Sequence, residues 1–146
     1  MILDSRYEFA DAQDISQTTG TYLSTNVVNL EVARDIGQGH QLFLHIQIDQ
    51  VVAGTSSTIE FRLRSDSVAA IHDSTSTGHW TSGAIAEATL VAGYHLVIPL
   101  PIEPPAYEQY IGLQAIVGTA TTSTGTYSAF LTLDPHGWKS YADASN

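Results

Sequence analysis

The sequence predicts an all-β fold, an antiparallel two-sheet sandwich or jelly roll preceded by an extended N-terminal arm. Three observations carry the prediction. Two runs alternate between apolar and polar residues, turn-forming clusters of Gly, Pro, Ser, Asn and Asp recur at short intervals, and no stretch makes a convincing helix. At 146 residues the chain is sized for one domain able to bury its own core without metal or disulfide staples.

Taken in order, residues 1–25 carry apolar anchors (Ile2, Leu3, Tyr7, Phe9, Ile15, Tyr22, Leu23) separated by acids and by the polar stretch 16–21. They are too irregularly spaced to fold alone, so the segment reads as an arm that lies over its own sheet or docks on a neighbouring molecule. Residues 26–146 then form a single domain that includes a C-terminal tail. Val27, Val28 and Leu30 suggest a short strand before a turn at Asp35-Ile36-Gly37-Gln38-Gly39. In the strand that follows, Leu42, Leu44, Ile46 and Ile48 project to a core face, and Phe43, His45, Gln47 and Asp49 to a mostly wet one. A turn at 53–57 leads to a second strand, 58–66, with Ile59, Phe61 and Leu63 inward and Glu60, Arg62 and Arg64 outward; the two strands are expected to pair on one sheet.

Residues 68–71 are expected as a short irregular strand and 72–83, almost wholly small and polar around Trp80, as a long surface loop. Residues 84–90 lean to strand although their alanines favour helix. Residues 95–100 form a strand at a sheet edge or end, because Pro99 and Pro101 cannot donate ladder hydrogen bonds. Pro104 and Pro105 stiffen a connection. Residues 110–118 and 127–133 are expected to close the fold as a strand pair joined by a hairpin loop over 119–126.

Composition narrows the function. Fifteen acidic against five basic residues give a formal net charge of −10, which disfavours a phosphate backbone as partner. Arg6, Arg34, Arg62, Arg64 and Lys139 are scattered except for Arg62 and Arg64, which share a strand face with Glu60. That pair reads as a solvated, partly neutralised patch or as an anchor for an acidic surface. No cysteine is present, so thiol chemistry is excluded. Residues 1–6 do not read as a secretory signal and nothing reaches the length of a transmembrane helix, so no membrane is expected and synthesis and retention in the cytoplasm are.

The six histidines, His40, His45, His72, His79, His95 and His136, include no His-x-His pair, so a cupin-like metal site is not expected. Glu103, Glu108 and Asp134 lie near tyrosines or prolines without the spacing of a glycosidase pair. No Gly-x-Ser-x-Gly elbow, phosphate-binding Gly-x-x-x-x-Gly-Lys loop or Asp-x-Asp-x-Asp calcium run occurs. The reading is therefore of a non-enzyme with no cofactor. Trp80 and Trp138, with Tyr107, Tyr110 and Tyr141, are candidates for a sugar-stacking platform; Trp138 and Tyr141 equally suit packing of the tail, and Trp80 suits an anchor on another protein.

Met1-Ile2-Leu3-Asp4, Phe9-Ala10-Asp11-Ala12-Gln13, Ser24-Thr25-Asn26-Val27-Val28-Asn29-Leu30 and Ala33-Arg34-Asp35-Ile36-Gly37-Gln38-Gly39, followed by Leu42-Phe43-Leu44, Tyr110-Ile111-Gly112-Leu113 and Ala129-Phe130-Leu131-Thr132-Leu133-Asp134, resemble the tailed-phage capsid cement protein family first associated with a Bordetella phage. The resemblance implies an antiparallel two-sheet sandwich of jelly-roll type. It also implies an oligomer, dimer or trimer, made in the host cytoplasm, that binds the outer surface of the assembled shell and reinforces junctions between major capsid subunits. Within that reading Ile2, Leu3, Asp4, Arg6, Tyr7, Phe9, Arg34, Asp35 and Trp80 are the candidates for capsid or subunit contact. Against it, Arg34 and Asp35 suit a local ion pair that fixes the turn, and Ile2, Leu3 and Phe9 suit a cover on the sandwich edge. The rival function is a carbohydrate-binding β-sandwich module of receptor-binding or adhesin type.

Overall fold

The computed structural model describes residues 5–33, 36, 39–102 and 105–135. Among them ten strands follow in chain order: β1 (Glu8–Asp14), β2 (Gly20–Leu23), β3 (Val28–Asn29), β4 (Phe43–Gly54), β5 (Thr58–Asp66), β6 (Thr77–Thr81), β7 (Ile85–Ala86), β8 (His95–Pro99), β9 (Tyr110–Gly118) and β10 (Thr122–Thr132). Single 3-10 turns, Ser5–Tyr7 and Glu87–Thr89, precede β1 and follow β7. No helix among the described residues is long and apolar enough to cross a membrane.

Every strand pairing is antiparallel, in two sheets. One has the order β1-β10-β4-β8; the other has the order β2-β9-β5-β6, with β3 added to β9 and β7 to β5. The alternations read from sequence set the core. Leu44, Ile46 and Ile48 of β4, Ile59, Phe61 and Leu63 of β5, Ile111, Leu113, Ala115 and Val117 of β9, and Tyr127, Ala129 and Leu131 of β10 form one buried cluster, each large side chain contributing about 1.5–3 kcal/mol. Phe61 and Tyr127 meet across the two sheets at a ring separation of 5.3 Å.

The expected partners of two strand pairs are corrected. β4 and β5 are not neighbours in one sheet, nor are β9 and β10; each pair is divided between the two sheets. A strand with one apolar face hides it best against another apolar face, so chain neighbours face each other across the core while their hydrogen bonds go to distant strands. Residues 8–14 and 20–23, read as part of an arm, are strands at the edges of the two sheets, and β1 buries Phe9 and Ala10.

Local expectations also need correction. Residues 68–71 are bends and irregular chain, not a strand, and the loop expected over 72–83 contains β6. Residues 122–126 belong to β10, so in place of the hairpin loop expected over 119–126 a three-residue connection, 119–121, crosses from one sheet to the other. Of 84–90, two residues are strand and three a 3-10 turn. The edge position expected for 95–100 is borne out by β8.

The wet face expected on β4 is wrong at His45, which is 1% exposed. Its ring stacks on Phe130 at 4.9 Å and lies parallel to His95 at 6.0 Å, so aromatic neighbours from β10 and β8 bury it. Burial first, and the neighbouring His95 second, hold its pKa below the ordinary imidazole value.

The segment after β5 folds back over the outer face of the second sheet. A Cβ at Gly112 would lie 2.6 Å from Ile71 Cδ1 and 2.9 Å from Leu23 Cδ1, so the bare backbone is the notch that seats Ile71. Arg64 holds the returning chain, donating from Nε to Ser76 Oγ at 2.6 Å and from Nη2 to the carbonyls of Asp73 and Ser76 at 2.9 and 2.8 Å.

Candidate functional site

The register places the start of β1, the end of β10, the start of β4 and the end of β8 at one end of the first sheet. β3 and the start of β9 lie together in the second sheet, and the Asn26 N–H donates to the Phe9 carbonyl at 2.9 Å, tying the two sheets there. Between them opens a cavity of about 460 Å³. Arg6 and Tyr7, Val28 to Glu31, Ile36, Leu42 and Leu131 line it. Glu31 is exposed at φ +67°, its N–H donating to Asn29 Oδ1 at 2.7 Å, so a tight turn carries its backbone past the mouth of the cavity.

Two of the expected contact residues, Arg6 and Tyr7, therefore line this cavity, and so does Ile36. Ile2, Leu3, Asp4, Arg34 and Asp35 lie outside the described residues, as do Glu103, His136, Trp138 and Tyr141. Phe9 is a correction: it is 0% exposed in the shared core, because it heads the inward face of β1, so it covers the sandwich and does not present a contact. Leu30, Leu42 and Leu131 were not singled out by sequence. They belong to runs that read as core strands, and their position at the strand ends is set by register.

Exposed large apolar side chains occur near this end and elsewhere, Val51, Val68, Val91 and Val97 among the latter. Tyr7, Val32, Ile102 and Leu133 are 48%, 58%, 51% and 62% exposed.

Trp80 falls elsewhere. It is half-buried on β6, opposite Leu63, and packs partly on the core instead of standing on a loop. The cations near it are engaged. Arg62 Nε donates to Glu60 Oε1 at 2.6 Å, an ion pair that holds the Glu60 carboxyl below the usual carboxylate range and raises Arg62. Asp73 lies 3.8 Å from Arg62 and 3.7 Å from Arg64. Tyr107, a candidate for a sugar platform with Trp80, is buried; it donates to the Pro101 carbonyl at 2.7 Å and stacks under His79 at 4.0 Å. No flat aromatic face is assembled from the two.

His79 Nε2 lies 2.7 Å from Ser65 Oγ, which is fully buried and also accepts the Glu108 N–H at 3.1 Å. Burial lowers the His79 pKa against the opposing pull of Glu108, favouring the neutral ring that accepts from Ser65. This arrangement fastens β5, β6 and the 105–109 segment together; a hydroxyl so enclosed has no path to a substrate. Among the described residues no three His, Asp or Glu side chains converge as a metal site.

The family model described as Bbp16 matches residues 9–131, most of the chain. No curated protein matches the sequence.

Proposed function

The chain belongs to the Bbp16 family, a Bordetella phage family name, and from that premise we propose that it is a structural cement protein of a phage head. It binds the outside of the assembled shell, stabilises junctions between major capsid subunits, and does so as a homodimer or homotrimer. The observation that carries the reading is the family match, joined to a two-sheet sandwich with an open cavity walled by Arg6 and half-exposed Tyr7.

Several features support it. The sheet orders β1-β10-β4-β8 and β2-β9-β5-β6 interleave as two Greek keys do, and we read the fold as a jelly roll. Such a sandwich is a rigid platform that needs no ligand to hold its shape. The net charge of −10 suits exposure outside a particle and works against contact with a nucleic acid. The mechanism is linkage: a protein that binds assembled lattice and not free subunits stabilises the lattice by mass action, and repetition over symmetry-related sites multiplies a modest contact.

The test is addition of the purified protein to expanded shells assembled without it. Co-sedimentation with the shells and a rise in their resistance to heat and osmotic shock are expected. Shells equally robust with and without bound protein would overturn the reading.

A further inference from the structure

We infer that residues 136–146, which lie outside the described part of the chain, form a strap across the outer face of the first sheet and set Trp138 over the rings of His45 and Phe130. That face carries the mark of a cover. Leu44 and Ile46 of β4 and Ala129 and Leu131 of β10 point into the shared core, so His45, Phe130 and Thr132 stand on the outer side of the sheet. They are nevertheless only 1%, 5% and 7% exposed, and Phe130 is no part of the cluster buried between the sheets. Neighbouring strands, about 4.8 Å away, shield the flanks of an outward side chain and leave its outer edge open. His45 has the flanking shield: Phe130 on β10 at 4.9 Å and His95 on β8 at 6.0 Å lie nearly parallel to its ring. Hiding the outer edges as well takes a further layer of chain. On the second sheet the return after β5, seated by Ile71 over Gly112 and held by Arg64, is such a layer.

The occupant follows from where the chain goes next. β10 lies inside its sheet, between β1 and β4, and ends at Thr132. The Asp134 N–H donates to Thr132 Oγ1 at 3.1 Å, and that hydroxyl donates to the Asp134 carbonyl at 3.2 Å. Because the Thr132 side chain points outward, these two bonds draw the departing chain to the outer side of the sheet. Residues 136 to 146 number eleven. Extended, they reach about 36 Å, whereas crossing from β10 to the farther sheet edge takes two strand spacings, about 10 Å. A chain turning back along β10 from Thr132 meets Phe130 and, opposite it on β4, His45. Trp138 is the largest side chain of the segment, and an indole laid over the edges of two stacked rings makes the edge-to-face contact that aromatic pairs favour. Val97, opposite His45 on the edge strand β8, is 37% exposed, so the strap covers β10 and β4 and stops short of that edge.

The test has two arms and needs no shells. In the full chain, proton NMR should show nuclear Overhauser contacts from the Trp138 indole to the rings of His45 and Phe130. In the second arm diethyl pyrocarbonate labels histidines, read residue by residue by mass spectrometry, with exposed His95 as the internal standard. His45 should be nearly inert in the full chain and react roughly tenfold faster in Trp138→Ser and in a chain ending at Pro135, because the outer edge of its ring is then open to reagent, while His95 changes little. Absence of the Overhauser contacts would overturn the assignment, and this arm stands even if the shortened chain does not fold. A His45 that stays inert in Trp138→Ser would overturn it too. Contacts seen only between labelled and unlabelled copies in a mixed sample would give the strap to a second copy of the chain and also overturn it.

Discussion

The two ends of the sandwich are closed in different ways. At one end the chain turns at 15–20, 54–58, 87–94 and 118–122, and polar side chains stitch these turns to one another. Thr122, 2% exposed, accepts the Gln17 N–H at 3.0 Å and donates to the Ile15 carbonyl, while its own N–H donates to the Gln17 carbonyl at 3.0 Å. Glu87 accepts the Ser56 N–H at 3.0 Å, and its own N–H donates to the Ser57 carbonyl at 3.1 Å. At the other end lies the cavity lined by Leu30, Ile36, Leu42 and Leu131 with Arg6, half-exposed Tyr7 and Glu31. A hydrogen-bonded turn satisfies its own backbone and has little left to offer a partner. An apolar end gains by being covered. The hydrogen-bonded turns make the stitched end the expected anchor of stability, and on the proposed function the open end is the one expected to bind.

Substitutions at the stitched end should cost the most. Gly125 sits at φ +140°, and a Cβ there would lie 3.0 Å from Val52 Cγ2 and 3.2 Å from Ile15 Cγ1. Gly125→Val should therefore lose about 3 kcal/mol in urea denaturation, from backbone strain and overpacking together. Thr122→Val keeps the volume but removes the hydroxyl shared by the Gln17 N–H and the Ile15 carbonyl, which keep only their bond to each other at 2.9 Å; a loss of about 1 kcal/mol is expected by the same measurement. If either change left stability intact, the stitched end would not be the anchor.

Acid should act on the open half. His45 begins two residues into β4, and His79 ties β6 to the 105–109 segment; both pKa values lie below 6.5 in the folded chain, chiefly from burial. A depressed imidazole means that the unfolded chain takes up protons first, so stability is full above the ordinary value of 6.5 and falls as pH drops from there toward the folded values. Hydrogen exchange corrected for its intrinsic pH dependence should show amides of 43–47 and 77–81 losing protection before those of 118–125. Simultaneous loss at both ends would remove the distinction.

The smallest effects are expected where nothing is at stake for the fold. Tyr7→Ser and Val32→Ser should change the urea midpoint by less than about 0.5 kcal/mol equivalent, so any loss of shell binding in them reports contact. Tyr127 provides the core reference: its hydroxyl is buried without a hydrogen-bond partner among the described residues, and burial pushes its pKa up. Tyr127→Phe should be neutral or stabilising by up to about 1 kcal/mol, read from thermal denaturation.

What was legible in the sequence was local. The alternation over 58–64 and over Leu44, Ile46 and Ile48 named the buried faces, and Pro99 marked β8 as an edge. What was not legible depends on partners far along the chain. His45 looks wet until Phe130 and His95 are beside it, and β6 looks like a loop until Arg64 and Leu63 meet it. The candidate site shows the same division. Arg6 and Tyr7 were named through the family resemblance, whereas Leu30, Leu42 and Leu131 enter it through register alone.

The placement of β10 between β1 and β4 also sets an order of events during synthesis. Glu8 pairs with Phe130 and Phe43 with Thr132, so the first sheet cannot close until nearly all of the described chain has left the ribosome. Nascent β1 and β4 must wait with unpaired edges, and because the loops to be closed are long, folding is expected to be slow for a domain of this size. A chain truncated before β10 should therefore accumulate as aggregate and not as a smaller folded unit.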